Sequence, residues 1–217
     1  MTNSKFLPNP AQKHNRSTFE RTKLLLVEGA DEFHFFKFLN PVADVQIHVY
    51  QGKNQLQLEL QTIKGIEGFD KLKRVAIVRD ADSDPVSALQ SVLQQWANAF
   101  QTAKPKVVSD LWFEDAVGRE WSVWLMPRPD LSGDLEELLW QAVAPSEHRS
   151  CIHALMECLN VADQTPFRTE TKARLYSWLA TQRDPIKELH AAFQSNSGLF
   201  NPENEVFARF ASLVADM

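Results

Sequence analysis

Leu24-Leu25-Leu26-Val27-Glu28-Gly29-Ala30-Asp31-Glu32, read together with Val75-Ala76-Ile77-Val78-Arg79-Asp80-Ala81-Asp82, decides the fold. Each stretch is a short apolar run that ends in carboxylates. Such a run, bounded by a turn, reads as a buried parallel strand. In an open α/β sheet, ligands bind outside the carboxyl ends of the strands. Both stretches therefore deliver acidic side chains to one edge of one sheet. That geometry invites a hard divalent cation, because Mg²⁺ is held by a few carboxylates plus water and substrate phosphate.

Working outward, Gly29 turns the chain into a helix over Ala30–Leu39, dense in phenylalanine (Phe33, Phe35, Phe36, Phe38) and so expected to be covered on more than one face. Asn40-Pro41 stops it. Residues 45–50 alternate apolar and polar and predict a second strand. Gln51-Gly52-Lys53-Asn54 is a turn, and Leu56, Leu60 and Ile63 form one side of the next helix. Asp84 before Pro85 is an N-cap signal, with a helical stripe of Val86, Leu89, Val92, Leu93, Trp96 and Phe100 behind it. Strands are expected over 106–113 and 120–126, as a hairpin at the end of the βαβ series. A helix follows over 135–143.

Beyond it, helical segments are predicted at 146–160, 170–183, 185–195 and 203–215, punctuated by Pro145, Pro166, Pro185 and Pro202. The expected organisation is a flexible arm over 1–22, an α/β domain over 23–144 with a mostly parallel sheet, and a helical extension over 145–217.

The bulk numbers bound the function. At 217 residues and 44% apolar, the chain suits one large domain or one domain with an appendage. No apolar run approaches the roughly 20 residues of a membrane helix, and the polar N-terminus lacks a secretory signal. A cytoplasmic location is expected. Cys151 and Cys158 sit about 10 Å apart on a predicted helix, too far for a disulfide. The net charge of −5 argues against a non-specific basic nucleic-acid binder. It accommodates a metal-dependent enzyme that carries an acidic centre. The basic N-terminal residues, Lys5, Lys13, Arg16, Arg21 and Lys23, read as a solvated arm.

Val27-Glu28-Gly29 and Val78-Arg79-Asp80-Ala81-Asp82 resemble the TOPRIM domain of topoisomerases, primases and related nucleases, which carries a glutamate after its first strand and Asp-x-Asp after a later one. Gln51-Gly52-Lys53-Asn54, Trp124-Leu125-Met126-Pro127 and Gly133-Asp134-Leu135-Glu136-Glu137-Leu138-Leu139 extend the likeness. They look like a compact, mainly prokaryotic TOPRIM-related family of uncharacterised function. That family is akin to the TOPRIM part of the overcoming-lysogenisation-defect nucleases. The resemblance covers roughly residues 23–143 and includes no ATPase region. It implies Mg²⁺ or Mn²⁺ held by Glu28, Asp31, Glu32, Asp80, Asp82 and Glu136, with Glu28 doubling as general acid or base. Glu32 stands where the related nucleases place a second metal carboxylate, and Glu136 matches their further acidic residue in a Leu-Glu context.

Each residue also has a plainer reading. Strand-end carboxylates cap helices, which is the favoured role for Asp84. Glu136 is either a metal neighbour or a first-turn helix charge. Lys53 either contacts phosphate and stabilises charge in catalysis, or is a solvated turn residue. Arg79 either pairs with the acidic cluster or binds substrate phosphate.

Other chemistries fail on the residues. Ile47 and Asn54 break a P-loop around Gly52-Lys53. No nucleophile elbow or dinucleotide fingerprint occurs. Of His148, Cys151, His153 and Cys158, only His148, Cys151 and Cys158 share a helix face, and the last is two turns away, which does not suit zinc. Tyr50 and Tyr176 fall in a predicted strand and helix, which disfavours a topoisomerase. The expected function is metal-dependent phosphodiester chemistry on DNA or RNA, with nuclease activity foremost. The alternative is a metal- and phosphate-binding interaction module. Both leave room for a homodimer or a protein partner.

Overall fold

The computed structural model describes residues 18–39, 44–143, 147–163, 170–194 and 197–217. The arm up to residue 17, the Asn40-Pro41 stop and the Pro145 and Pro166 breaks lie outside the described residues.

Strands β1 (Lys23–Val27), β2 (Gln46–Val49), β3 (Arg74–Asp80), β4 (Trp112–Glu114) and β5 (Glu120–Met126) form one sheet in the order β2-β1-β3-β5-β4. The first, second, third and fifth run parallel, while β4 lies antiparallel at the edge against β5. The chain steps outward from β1 to β2, then returns to build β3 on β1's other side. The strand order therefore reverses between β1 and β3, which is where open α/β sheets place their ligands.

Both faces of the sheet are covered, and this explains the unbroken apolar runs. Leu25, Val27, Ala76 and Val78 face one core; Leu24, Leu26, Val75 and Ile77 face the other. This is the period-2 alternation of a strand. Helices α2 (Leu56–Ile63) and α3 (Pro85–Phe100) cover the second face. The first is covered by α1 (Ala30–Leu39) together with the C-terminal helices α4 (Leu135–Ala142), α5 (Glu147–Asp163), α6 (Glu170–Ala180), α7 (Leu189–Ala192) and α8 (Ala208–Asp216).

The phenylalanines of α1 are the seam of this layer. Phe35 meets Phe193, Phe207 and Phe210 at ring distances of 5.8, 5.3 and 6.1 Å. Arg209 on α8 clamps the layer to the sheet edge. Its guanidinium donates to Asp110 at 2.6 Å and to the carbonyl of Leu125 at 2.8 Å, and lies over the Trp124 ring. The C-terminal segment thus completes the core under α1.

Three elements differ from the sequence pattern. The strand expected over 106–113 contracts to Trp112–Glu114. Asp110 has φ 74°, and the Ser109 hydroxyl bonds the Asp110 carboxylate and the Val123 carbonyl, so the preceding residues leave the ladder. The helix expected over 185–195 contracts to Leu189–Ala192. The last helix is preceded by a 3-10 turn, Glu205–Phe207, capped by Asn204.

Thr18 and Phe19, at the end of the stretch read as an arm, are anchored. Thr18 bridges Glu67, and Phe19 is 3% exposed and donates its N–H to the Glu67 carbonyl. Gly68 makes this possible. It has φ +90°, and a Cβ there would meet the Phe19 carbonyl oxygen at 2.2 Å. Gly68→Ala is expected to cost about 2 kcal/mol and lower Tm by roughly 4–8 °C. Gly65→Ala, whose Cβ would meet only ordinary contacts, should leave Tm nearly unchanged. Equal effects in thermal melts would refute the close-approach explanation.

Candidate functional site

Four turns converge at the carboxyl edge of β1 and β3. After β1, Glu28 and Gly29 lead directly into α1. A Cβ at Gly29 would meet Glu32 Oε2 at 2.9 Å, so glycine lets the Glu32 carboxylate fold back over the turn. After β2, Gln51 and Gly52 have positive φ, 64° and 98°. The Gly52 N–H donates to the Glu28 carbonyl at 3.0 Å, and the Lys53 N–H to Glu28 Oε1 at 3.0 Å.

After β3, Asp82 has φ 53° and exchanges two backbone hydrogen bonds with Gly133, at 2.9 and 2.7 Å. That exchange pins the Asp-x-Asp turn to the start of α4. Asp134 caps α4 by accepting the Glu137 N–H, and Glu136 sits in its first turn.

The result is a cavity of about 500 Å³ lined by Glu28, Asp31, Glu32, Asp80, Glu136 and Lys172, with Gly29, Ala30, Val49, Gln51 and Gly52. Five of the proposed acidic residues, separated widely in sequence, meet here. Asp82 does not line this cavity. Its side chain is 44% exposed and accepts from Lys53 Nζ at 2.9 Å and from Arg79 at 3.5 Å. Lys53, Asp82 and Arg79 form a separate charged cluster beside the cavity. Arg79 is 5% exposed and also reaches Ser91 at 3.4 Å. Asp84 is a cap: it accepts from the N–H groups of Val86 and Ser87.

Sequence reasoning missed Lys172. It arrives from α6, and its Nζ stands 2.7 Å from Glu136 and 3.9 Å from Asp134. A lysine on an amphipathic helix carries no local signal of this role. Gly133-Asp134 reads as a helix start and Tyr50 as a strand residue, but the sequence gives neither a place beside the site, where Asp134 caps α4 and the buried Tyr50 hydroxyl donates to the Val78 carbonyl at 2.9 Å.

Burial dominates the electrostatics. It pushes the Glu28 carboxyl above the usual range, against the nearby Arg79 charge. It raises Glu32 to about 7, with Asp31, Glu28 and Glu136 adding to the rise. Asp80 is pushed well above its ordinary value by burial and then by Glu32, Glu28, Asp134 and Glu136. Asp31 is raised by burial, against His190 and Lys172. Asp134 is raised by burial and by Glu136. Burial alone would lower Lys172, but Glu136 and Asp134 outweigh it and raise the ammonium. The site is an acidic cleft whose carboxylates outnumber the cations that face them.

Glu28 Oε2 and Asp80 Oδ1 are buried without a hydrogen-bond partner among the described residues. Yet no group of three or more His, Cys, Asp or Glu among the described residues is arranged to hold a metal ion as it stands. Lys53 and Lys172 occupy two of the carboxylates. No described helix is long and apolar enough to cross a membrane.

Fold and site together define an α/β protein with a mostly parallel five-stranded sheet and an acidic cleft at its switch point. The chain belongs to the family described as protein of unknown function DUF3226, which matches over residues 22–216. No curated protein and no solved structure matches it.

Proposed function

We propose that the domain is TOPRIM-like and performs divalent-metal-dependent phosphodiester chemistry on DNA or RNA, acting as a nuclease. One observation carries this reading. Two buried carboxylate oxygens, Glu28 Oε2 and Asp80 Oδ1, face no hydrogen-bond partner among the described residues, at the ends of adjacent parallel strands. Buried carboxylates near one another cost free energy unless positive charge compensates them. The donor set is all oxygen, which suits Mg²⁺ or Mn²⁺ rather than a soft metal.

Glu28, Asp31, Glu32, Asp80 and Glu136 are the residues that would hold the cation, while Asp82, paired with Lys53 and Arg79, would support them from beside the cavity. A bound cation supplies a Lewis acid and an activated water. The chain's own groups do the rest. Lys53 fixes Glu28 through its backbone N–H, leaving the second Glu28 oxygen to hold or move a proton. The Lys53 ammonium, half exposed and paired with Asp82, would exchange that partner for a phosphate oxygen. Arg79, buried beneath Asp82, orients the turn more than it reaches substrate.

A second reading has its own support. The Lys53–Asp82 and Lys172–Glu136 pairs neutralise part of the cluster internally, as a non-catalytic metal- and phosphate-binding module would. The test incubates the protein with single-stranded and duplex DNA and RNA, with Mg²⁺, Mn²⁺ or chelator. Cleavage is expected with metal, absent with chelator, and reduced about 100-fold or more by Glu28→Ala. Cleavage that survives both Glu28→Ala and Asp80→Ala sinks the site assignment. Metal-dependent binding with no cleavage favours the module.

A further inference from the structure

At the far end of α3 from the carboxylates lies a second cavity, of about 720 Å³. The 16 residues of α3 place it about 24 Å from the Asp84 cap, at 1.5 Å per residue. Its walls are aromatic. Phe69 and Phe100 lie parallel within 15°, Trp96 packs 5.1 Å from Phe100, and Phe113 stands edge-on to Trp96 at 5.1 Å. Its size and apolar walls are those of a small-molecule site.

The charge at its mouth is unusual for an acidic protein. Lys64, Lys104 and Lys106 all line it. Lys64 lies 5.3 Å over the Phe100 ring, and Lys104 donates to the neutral Gln90 side chain. None of the three forms an ion pair among the described residues. The other cation, Arg119, is spent: it pairs with Asp115 and donates to the carbonyls of Leu72 and Phe69. Asp70 and Glu114 share the lining but leave three lysines against two carboxylates. Aromatic walls with an excess of ammonium groups over carboxylates beside them match a ring that carries negative charge.

We infer that this cavity binds a planar aromatic anion, its ring against Trp96, Phe100 and Phe113 and its charged group at Lys104 and Lys106. A free aromatic acid and a nucleotide share that chemistry. Isothermal titration of the full chain with 2-naphthoate, AMP and 2-naphthylmethylamine tests it. At least one anion should saturate with Kd below about 1 mM, and the amine should bind about tenfold more weakly or worse. A stronger naphthoate arm points to a free acid, a stronger AMP arm to a nucleotide.

Lys104→Gln with Lys106→Gln should erase the preference for the anion. Ala103→Trp, on the exposed lining, should abolish binding without changing Tm. Glu28→Ala should leave binding intact, which separates this site from the acidic cleft. Absence of saturation by either anion, equal binding of the amine, or binding that survives Ala103→Trp overturns the inference.

Discussion

Asp80→Asn is expected to reduce metal-dependent cleavage by about 1,000-fold or more while making the metal-free protein more stable. The two effects share one cause. Asp80 sits at the end of β3, where burial and then Glu32, Glu28, Asp134 and Glu136 all oppose its charge. An amide keeps the shape and removes that repulsion, so Tm should rise. The same amide is a poor ligand for a hard cation. Asp84→Asn is the control: the residue is a solvent-exposed cap and Asn can still cap, so activity should not move, and Tm should fall slightly rather than rise because the hydrogen bonds from Ser87 to the carboxylate weaken. A stabilised variant with undiminished cleavage would remove Asp80 from the site. A destabilised variant would show that its charge is compensated in the free protein.

The metal-free protein should also lose stability as pH rises from about 5 to 8, the reverse of the usual acid-side loss. Glu32 is raised from the ordinary 4.5 to about 7 by burial and its acidic neighbours. The folded state therefore binds the Glu32 proton more tightly than the unfolded chain does. Its stabilising contribution is fully present below 4.5 and disappears as pH climbs through about 7, a difference on the order of 3 kcal/mol. Asp80, Glu28 and Asp134 shift in the same direction. Carboxyls held low by hydrogen bonds, such as Asp84 by Ser87 and Asp130 by Arg128, lose their contribution only at more acidic pH. Glu32→Gln should flatten the Tm profile between pH 5 and 8, and saturating Mg²⁺ should do so in the native chain. A flat native profile, or a slope indifferent to Glu32→Gln, would mean the cleft carries no such strain.

Much of this arrangement is legible in local sequence. Apolar runs such as Leu24–Val27 announce buried strands because both sheet faces are covered. The carboxylates that follow are positioned by their own turns, within a residue or two of a strand end. Asp84-Pro85 and Gly133-Asp134 are helix starts written in adjacent residues. Phenylalanine on all sides of α1 signalled a second covering layer but did not say what supplied it.

What the sequence alone determined, then, is the set of elements and the acidic edge, because strand periodicity, caps and turns depend on neighbours in the chain. Tertiary structure decided the rest. The Asp82–Gly133 backbone exchange brings Glu136 to the cavity of Glu28 and Asp80. Packing of α6 on α4 delivers Lys172 to Glu136, and the turn after β2 sends Lys53 to Asp82, drawing that carboxylate away from the cavity. These pairings join residues far apart in sequence through the order of strands in the sheet and the packing of helices on its faces. No local pattern encodes such a meeting, because its free energy comes from surfaces that exist only once the chain has folded.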